Sequence, residues 1–176
     1  MKNLNLRSGR LSLNEALMMS VMIAVQIILR RFTIGTSFFQ VNLLFIIIFL
    51  MGKWFSAWWA ATGCGISDVL GTLLNGGMYI PGFTLSAALT GLIEGCFFHR
   101  RPVSWPRVII SQLLIVVLVD GFLNTGWLAL TYGINFKLAL LMRWPKEVIV
   151  MPIQIIVIYL LGNNRGIKSI TERFFN

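Results

Sequence analysis

A chain of 176 residues in which 57% are hydrophobic and only 12% charged, against roughly 25% charged in an ordinary soluble domain, holds more apolar surface than one aqueous core can bury. With a mean hydropathy of +0.80 the surrounding solvent must itself be apolar, so the chain reads as an integral membrane protein. The formal charge of +9 is scattered between apolar runs instead of forming one soluble face, which excludes a nucleic-acid binder, and no phosphate-cradling G-x-x-x-x-G-K-[ST] run is present to hydrolyse ATP.

A spanning helix needs about 20 residues, and apolar runs fall at 13–31, 38–52, 54–74, 82–98, 107–130 and 146–162. The expectation is an all-α polytopic membrane protein, a single domain of six transmembrane helices over residues 1–176 with no soluble domain. Lys2, Arg7 and Arg10 precede the first run as in a signal peptide, but no small-residue cleavage pattern follows, so it is read as the first helix. The second run is short and needs local bilayer thinning or snorkelling. Gly76-Gly77 and Pro81-Gly82 mark the turn between the third and fourth runs, and Pro102 and Pro106 bracket the basic loop that holds the single histidine, His99. Cys64 and Cys96 lie inside apolar runs without metal or disulfide spacing. Neither a metal nor a cofactor is expected, and a lone loop histidine gives an intramembrane enzyme no catalytic set.

Basic residues orient the bundle, because positive loops stay inside. With a cytoplasmic amino terminus the inside set is Lys2, Arg7, Arg10, Lys53, Arg100, Arg101, Arg107, Arg165, Lys168 and Arg173. The outside set is Arg30, Arg31, Lys137, Arg143 and Lys146, a ratio of about two to one. Both termini are then cytoplasmic. The outer side still carries more cations than insertion statistics require, with Glu147 as its acid, and that excess asks for a second explanation.

Small residues recur every fourth position. Ala16, Ser20 and Ala24 do so on the first helix, Ala57, Ala61 and Gly65 with Gly63, Ser67 and Gly71 on the third, and Ala87, Gly91 and Gly95 on the fourth. Such stripes let helix backbones approach closely in lipid, either inside the bundle or against another membrane subunit. Asp68, Glu94 and Asp120 fall within apolar runs, where a charge is costly unless it faces protein, water or a counter-ion. They suit an interhelical hydrogen-bond network, a substrate contact or a proton carrier, and the last of these describes a solitary secondary transporter.

At the outer ends, Asn75, Tyr79 and Phe83 surround the Gly-Gly and Pro-Gly turn. Asn124, Trp127 and Tyr132 crowd the end of the fifth helix, and Arg143 and Lys146 follow at the expected start of the sixth. An aromatic belt with snorkelling cations is one reading. The other is a pocket of aromatic walls, amides and cations, which suits a planar heteroaromatic ring carrying carboxylates.

Three stretches carry a family resemblance: Pro81-Gly-Phe-Thr-Leu-Ser-Ala-Ala-Leu-Thr-Gly-Leu-Ile, Leu123-Asn-Thr-Gly-Trp-Leu and Arg143-Trp-Pro-Lys-Glu-Val-Ile-Val-Met-Pro-Ile-Gln. They resemble the folate-specific substrate-binding (S) components of energy-coupling factor (ECF) vitamin transporters, over nearly the whole chain. The Ala16, Ser20 and Ala24 stripe is similar to the alanine motif by which such subunits dock on a transmembrane coupling protein, with Ser20 in place of one alanine. The resemblance implies a cell-membrane subunit that captures folate outside and delivers it through a coupling protein and two ATPase subunits. With the resemblance, Asn124 and Gln154 are expected to meet the pterin edge, Trp127 or Tyr132 to pack on its face, and Arg143 and Lys146 to meet its carboxylates; Arg31 joins these cations on the topology argument. An S component for another vitamin is the nearest alternative; a thiamin site would place acids where this outer side is basic.

Overall fold

The computed structural model describes the backbone of residues 11–31, 33–36, 39–76 and 78–175, and their side chains except at 33–36, 39–42, 142 and 172–175. Lys2, Arg7, Arg10, Gly77 and the Arg173 side chain, all used in the charge and turn argument, lie outside the described residues.

Helix α1 (Leu13–Leu29) starts at a reciprocal cap, in which the Ser12 amide donates to Glu15 Oε2 (2.8 Å) and the Glu15 amide donates to Ser12 Oγ (3.3 Å). It is followed by β1 (Thr33–Thr36) and β2 (Phe39–Asn42), an antiparallel pair in which Thr33 faces Asn42 and Thr36 faces Phe39. The chain then forms α2 (Leu44–Trp54), α3 (Ala57–Leu74) and α4 (Pro81–Phe98), the last with its proline at the first helical position, where the missing N–H costs nothing. A rod over Trp105–Tyr132 combines α5 (Trp105–Leu114), a π-helical segment (Ile115–Asn124) and α6 (Thr125–Tyr132). It ends at Gly133, whose φ of +65° supplies the left-handed turn. Helices α7 (Phe136–Asn163) and α8 (Arg165–Phe175) complete the chain.

The expectation of an all-α chain is therefore corrected at one place. Within the second apolar run, expected over 38–52, residues Phe39–Asn42 form β2, and α2 keeps only 11 residues, about 16 Å. The sixth run is corrected in the opposite direction. Asn135 Oδ1 accepts from the Lys137 amide at 3.0 Å and starts α7 at Phe136, so the helix begins well before the expected residue 146: Lys137 and Arg143 lie within its 28 residues, and Lys146 stands inside it instead of at its start. Pro145 and Pro152 each remove one backbone bond inside α7 without ending it. Among the described residues three helices are long and apolar enough to cross a membrane, namely Pro81–Phe98, Trp105–Tyr132 and Phe136–Asn163, while the apolar Leu13–Leu29 and Leu44–Trp54 are shorter.

Two apolar clusters hold these elements. Met19, Met22, Met51, Phe55, Ala60 and Cys64 join α1, α2 and α3. Phe49, Phe98, Val103, Val108, Ile155 and Ile158 join α2, α4, α5 and α7, with Phe49 and Phe98 edge to face at 5.1 Å. Helices α3 and α4 form the most extensive helix pair of the bundle, with Ala57 and Gly65 of one α3 stripe against α4, while Gly63 and Gly71 of the other face Met19, Met51 and Arg30. A Cβ on Gly91 would stand 2.6 Å from the Ala60 carbonyl oxygen, and one on Gly95 would run into Ala57. Those stripes are internal. Gly91→Leu should lower the melting temperature in detergent, since overpacking costs about 1–3 kcal/mol, whereas Gly126→Ala, a helical position that meets open space, should leave it unchanged or slightly raised, because alanine favours the helix.

Glu94 is buried and accepts from Gln112 Nε2 at 2.7 Å, an interhelical bond between α4 and α5. His99, expected in a solvated loop, is half-buried at the end of α4; desolvation, and next the Arg100 guanidinium, push its pKa below the ordinary imidazole value.

Candidate functional site

A cavity of about 300 Å³ opens where the C-terminal end of α1, the C-terminal half of α3, the N-terminal half of α4 and the end of the π-helical segment meet. Arg30, Asp68, Thr72, Phe83, Ser86, Ala87, Thr90 and Asn124 line it. Its volume is at the lower end of the range for small-molecule sites, about 300–1,000 Å³.

The polar centre of the cavity is an ion pair. Arg30 Nη2 donates to Asp68 Oδ1 at 2.8 Å, and the two side chains are 23% and 9% exposed. Asp68 Oδ2 accepts from Thr84 Oγ1 at 2.7 Å, and that hydroxyl also lies 3.3 Å from the Tyr79 hydroxyl. Arg30 reaches Asp68 across Gly71: a Cβ there would stand 2.7 Å from Arg30 Cδ, so the missing side chain gives the guanidinium its path. Arg30 Nε is buried and without a protein partner. Ser86 Oγ, also in the lining, is buried and unpartnered as well.

Next to Arg30 in sequence, Arg31 Nε donates to Asn75 Oδ1 (2.9 Å) and Arg31 Nη2 reaches the Leu74 carbonyl at 3.4 Å, while Asn75 Nδ2 donates to the Gly71 carbonyl (2.7 Å). In the lining contributed by the π-helical segment, Asn124 Nδ2 donates to Asp120 Oδ1 (2.9 Å), and Asn124 Oδ1 is buried without a partner. The Trp127 indole lies directly against Gly82, with its Nε1 buried and unpartnered. Arg143 Nη1 is likewise a buried donor without an acceptor. A polar atom buried with no partner costs about 1–3 kcal/mol, so the unpartnered atoms of the lining residues Arg30, Ser86 and Asn124 suit a ligand that brings donors and acceptors with it.

Of the residues expected from sequence, Phe83 and Asn124 line the cavity. Arg31, Asn75 and Tyr79 are outside the lining, with Arg31 bonded to Asn75, Asn75 to the Gly71 carbonyl and Tyr79 beside Thr84. Trp127 packs on the N-terminal end of α4, Tyr132 is 61% exposed, and Arg143, Lys146 and Gln154 are partly buried on α7. Sequence reasoning missed Arg30, Thr72, Ser86 and Thr90. Asp68 carried a usable signal, an acid central to an apolar run, but its partner is 38 residues away in sequence.

Helix α1 presents the stripe expected to dock. Met19, Met22 and Gln26 are buried, whereas Ser20 and Ala24 are exposed and Ala16 is half-buried. Ser20 Oγ donates to the Ala16 carbonyl at 2.9 Å, so its polar hydrogen is spent on its own helix.

Comparison with known proteins places this arrangement. A family model described as the substrate-specific component of ECF transporters matches residues 16–162. Two relatives named folate transporter FolT are 30% identical over 174 residues (Leuconostoc mesenteroides, 95% of this chain and 94% of the relative) and 38% identical over 148 residues (Clostridium novyi, 83% and 86%). A solved structure described as a crystal structure of FolT bound with folic acid superimposes with a TM-score of 0.80 at 39% identity, covering 86% of this chain and 96% of the other. Three helices long and apolar enough to span a bilayer accord with that match. The chain belongs to the substrate-specific (S) components of ECF transporters, multi-pass membrane proteins that bind and transport and are not enzymes.

Proposed function

We propose that this chain is the folate-binding S component of an ATP-driven importer in the cell membrane. In this reading residues 1–176 act as a single membrane domain of six spans with both termini cytoplasmic. Folate enters the cavity from the extracellular side, and delivery follows association with a coupling protein and two ATPase subunits. The observation that carries the reading is the likeness in fold and sequence to a FolT that binds folic acid.

The roles of the side chains follow from their chemistry. Asn124 and Gln154 hold the pterin edge, and Phe83 and Trp127, with Tyr79 and Tyr132, supply aromatic surface. Asn75 tethers Arg31. Arg31, Arg143 and Lys146 are the cations available to the glutamate carboxylates, through charge-assisted hydrogen bonds.

The test is direct. The protein purified in detergent should carry folate detectable by mass spectrometry, or bind folic acid one to one, with no thermal shift from thiamin or riboflavin. A larger shift with either of those vitamins would overturn the reading. Asn124→Leu should weaken folic acid by at least about tenfold, the loss of one buried hydrogen bond, without a matching fall in melting temperature.

A further inference from the structure

The cavity presents one end of an amide, and a neighbour decides which end. Asn124 can show a ligand either its carbonyl, an acceptor, or its NH2, a double donor. In the structure Asn124 Nδ2 donates to Asp120 Oδ1 at 2.9 Å, and Asn124 Oδ1 is left buried and unpartnered on a residue that lines the cavity. A carboxylate only accepts, so the end of the amide turned toward Asp120 is the nitrogen. Asp120 is not part of the lining. Its own backbone carbonyl accepts from Thr125 Oγ1 at 3.0 Å, a bond spanning five residues at the end of the π-helical segment, and Thr125 is fully buried. The carboxylate is therefore held on the same stretch of backbone as the amide it orients. Arg143 and Lys146 are the cations close enough to act on it, and Glu147 is the nearby acid.

We propose that Asp120 is a positioning residue that locks the Asn124 amide with its carbonyl toward the cavity, so that the site selects ligands presenting an N–H donor at that point. The inference rests on the folate reading, because the pterin edge carries such donors at ring N3 and at the 2-amino group. It concerns selectivity and not the mere presence of a polar wall. An unlocked amide would rotate to offer whichever end a ligand needed, and the distinction between a donor and an acceptor would be lost.

The experiment uses the full chain in detergent and three ligands. These are folic acid, its 4-amino-4-deoxy analogue, in which the N3–H donor becomes an acceptor, and its 2-desamino-2-methyl analogue, in which the amino donor is deleted. Wild-type protein should prefer folic acid to at least one analogue by about tenfold or more. Asp120→Asn keeps the shape of the side chain but offers a donor as well as an acceptor, so either orientation of Asn124 becomes possible. That preference should shrink to about threefold or less. The exchanged pair, Asp120→Asn with Asn124→Asp, puts an acceptor-only group in the lining with a donor behind it and should restore the preference.

A purely structural role for Asp120 would weaken all three ligands in parallel and leave their ratios as in wild type, and that result would overturn the proposal. So would a wild-type protein that binds all three alike. Wild-type protein that fails to bind folic acid at all would instead bring down the folate reading, and this inference with it.

Discussion

Replacing Ala24 with Trp is expected to abolish folate uptake by the assembled transporter while leaving folic acid binding by the isolated chain within about threefold of wild type. The side chain projects from α1 on the face opposite Met19, Met22 and Gln26, so a larger group there meets no core residue of its own chain. Positions 16, 20 and 24 fall on one line along the helix because residues four apart share a face. The line is flat because each residue is small, and it is flanked by the exposed Leu17, Val21 and Ile28. A smooth small-residue line bordered by apolar side chains is what close helix approach in lipid requires, and an indole set across it holds two backbones apart. The stripes of α3 and α4 make the contrast: they have the same spacing but are consumed inside the bundle, with Gly91 against Ala60 and Gly95 against Ala57. The check is uptake in cells that express the complete transporter, paired with a binding titration on the purified subunit. Loss of both activities together would mean that the α1 face supports the fold, and the docking assignment would fail.

Much of this architecture was legible because hydrophobicity in lipid is read residue by residue. The runs at 13–31, 54–74, 82–98 and 107–130 correspond to α1, α3, α4 and the Trp105–Tyr132 rod with ends displaced by a few residues. The errors have local causes. Residues 38–52 form one apolar run, and nothing in its periodicity separates four residues paired with Thr33–Thr36 from a helix that begins at Leu44. The start of α7 was hidden by Lys137, Arg143 and Pro145, which read as a polar connection, although Asn135 two residues before Lys137 is a good cap. The π-helical segment has no local signature at all. Of the expected residues, Phe83 and Asn124 coincide with the cavity lining; Phe83 was singled out by the Pro-Gly turn beside it, and Asn124 by the amide and aromatic residues near the end of an apolar run. Arg30 was counted only as a topogenic charge; its role depends on packing of α1 against α3, which places it over Gly71 and against Asp68.

That ion pair gives the second large effect. Arg30→Met should leave the largely buried Asp68 as an uncompensated acid in the cavity wall, and breaking a buried pair from one side costs about 3–5 kcal/mol. Arg30 is about a quarter exposed, so solvent screening should keep the cost toward the lower end of that range. Thr84 still donates to Asp68 Oδ2 and cannot replace a cation. Replacing both partners, Arg30→Met with Asp68→Leu, removes the unpaired charge and should recover most of the lost melting temperature. Binding should behave differently. The pair lies in the cavity wall, with Arg30 Nε unpartnered, so the double variant should regain stability and still bind folic acid at least about tenfold more weakly than wild type, the expected loss for charge-assisted contacts. Melting curves and titrations on the same three proteins separate the two roles. If the double variant binds folic acid as well as wild type, the pair serves only to fasten α1 to α3, and the ligand takes its polar contacts from the Asn124 side of the cavity.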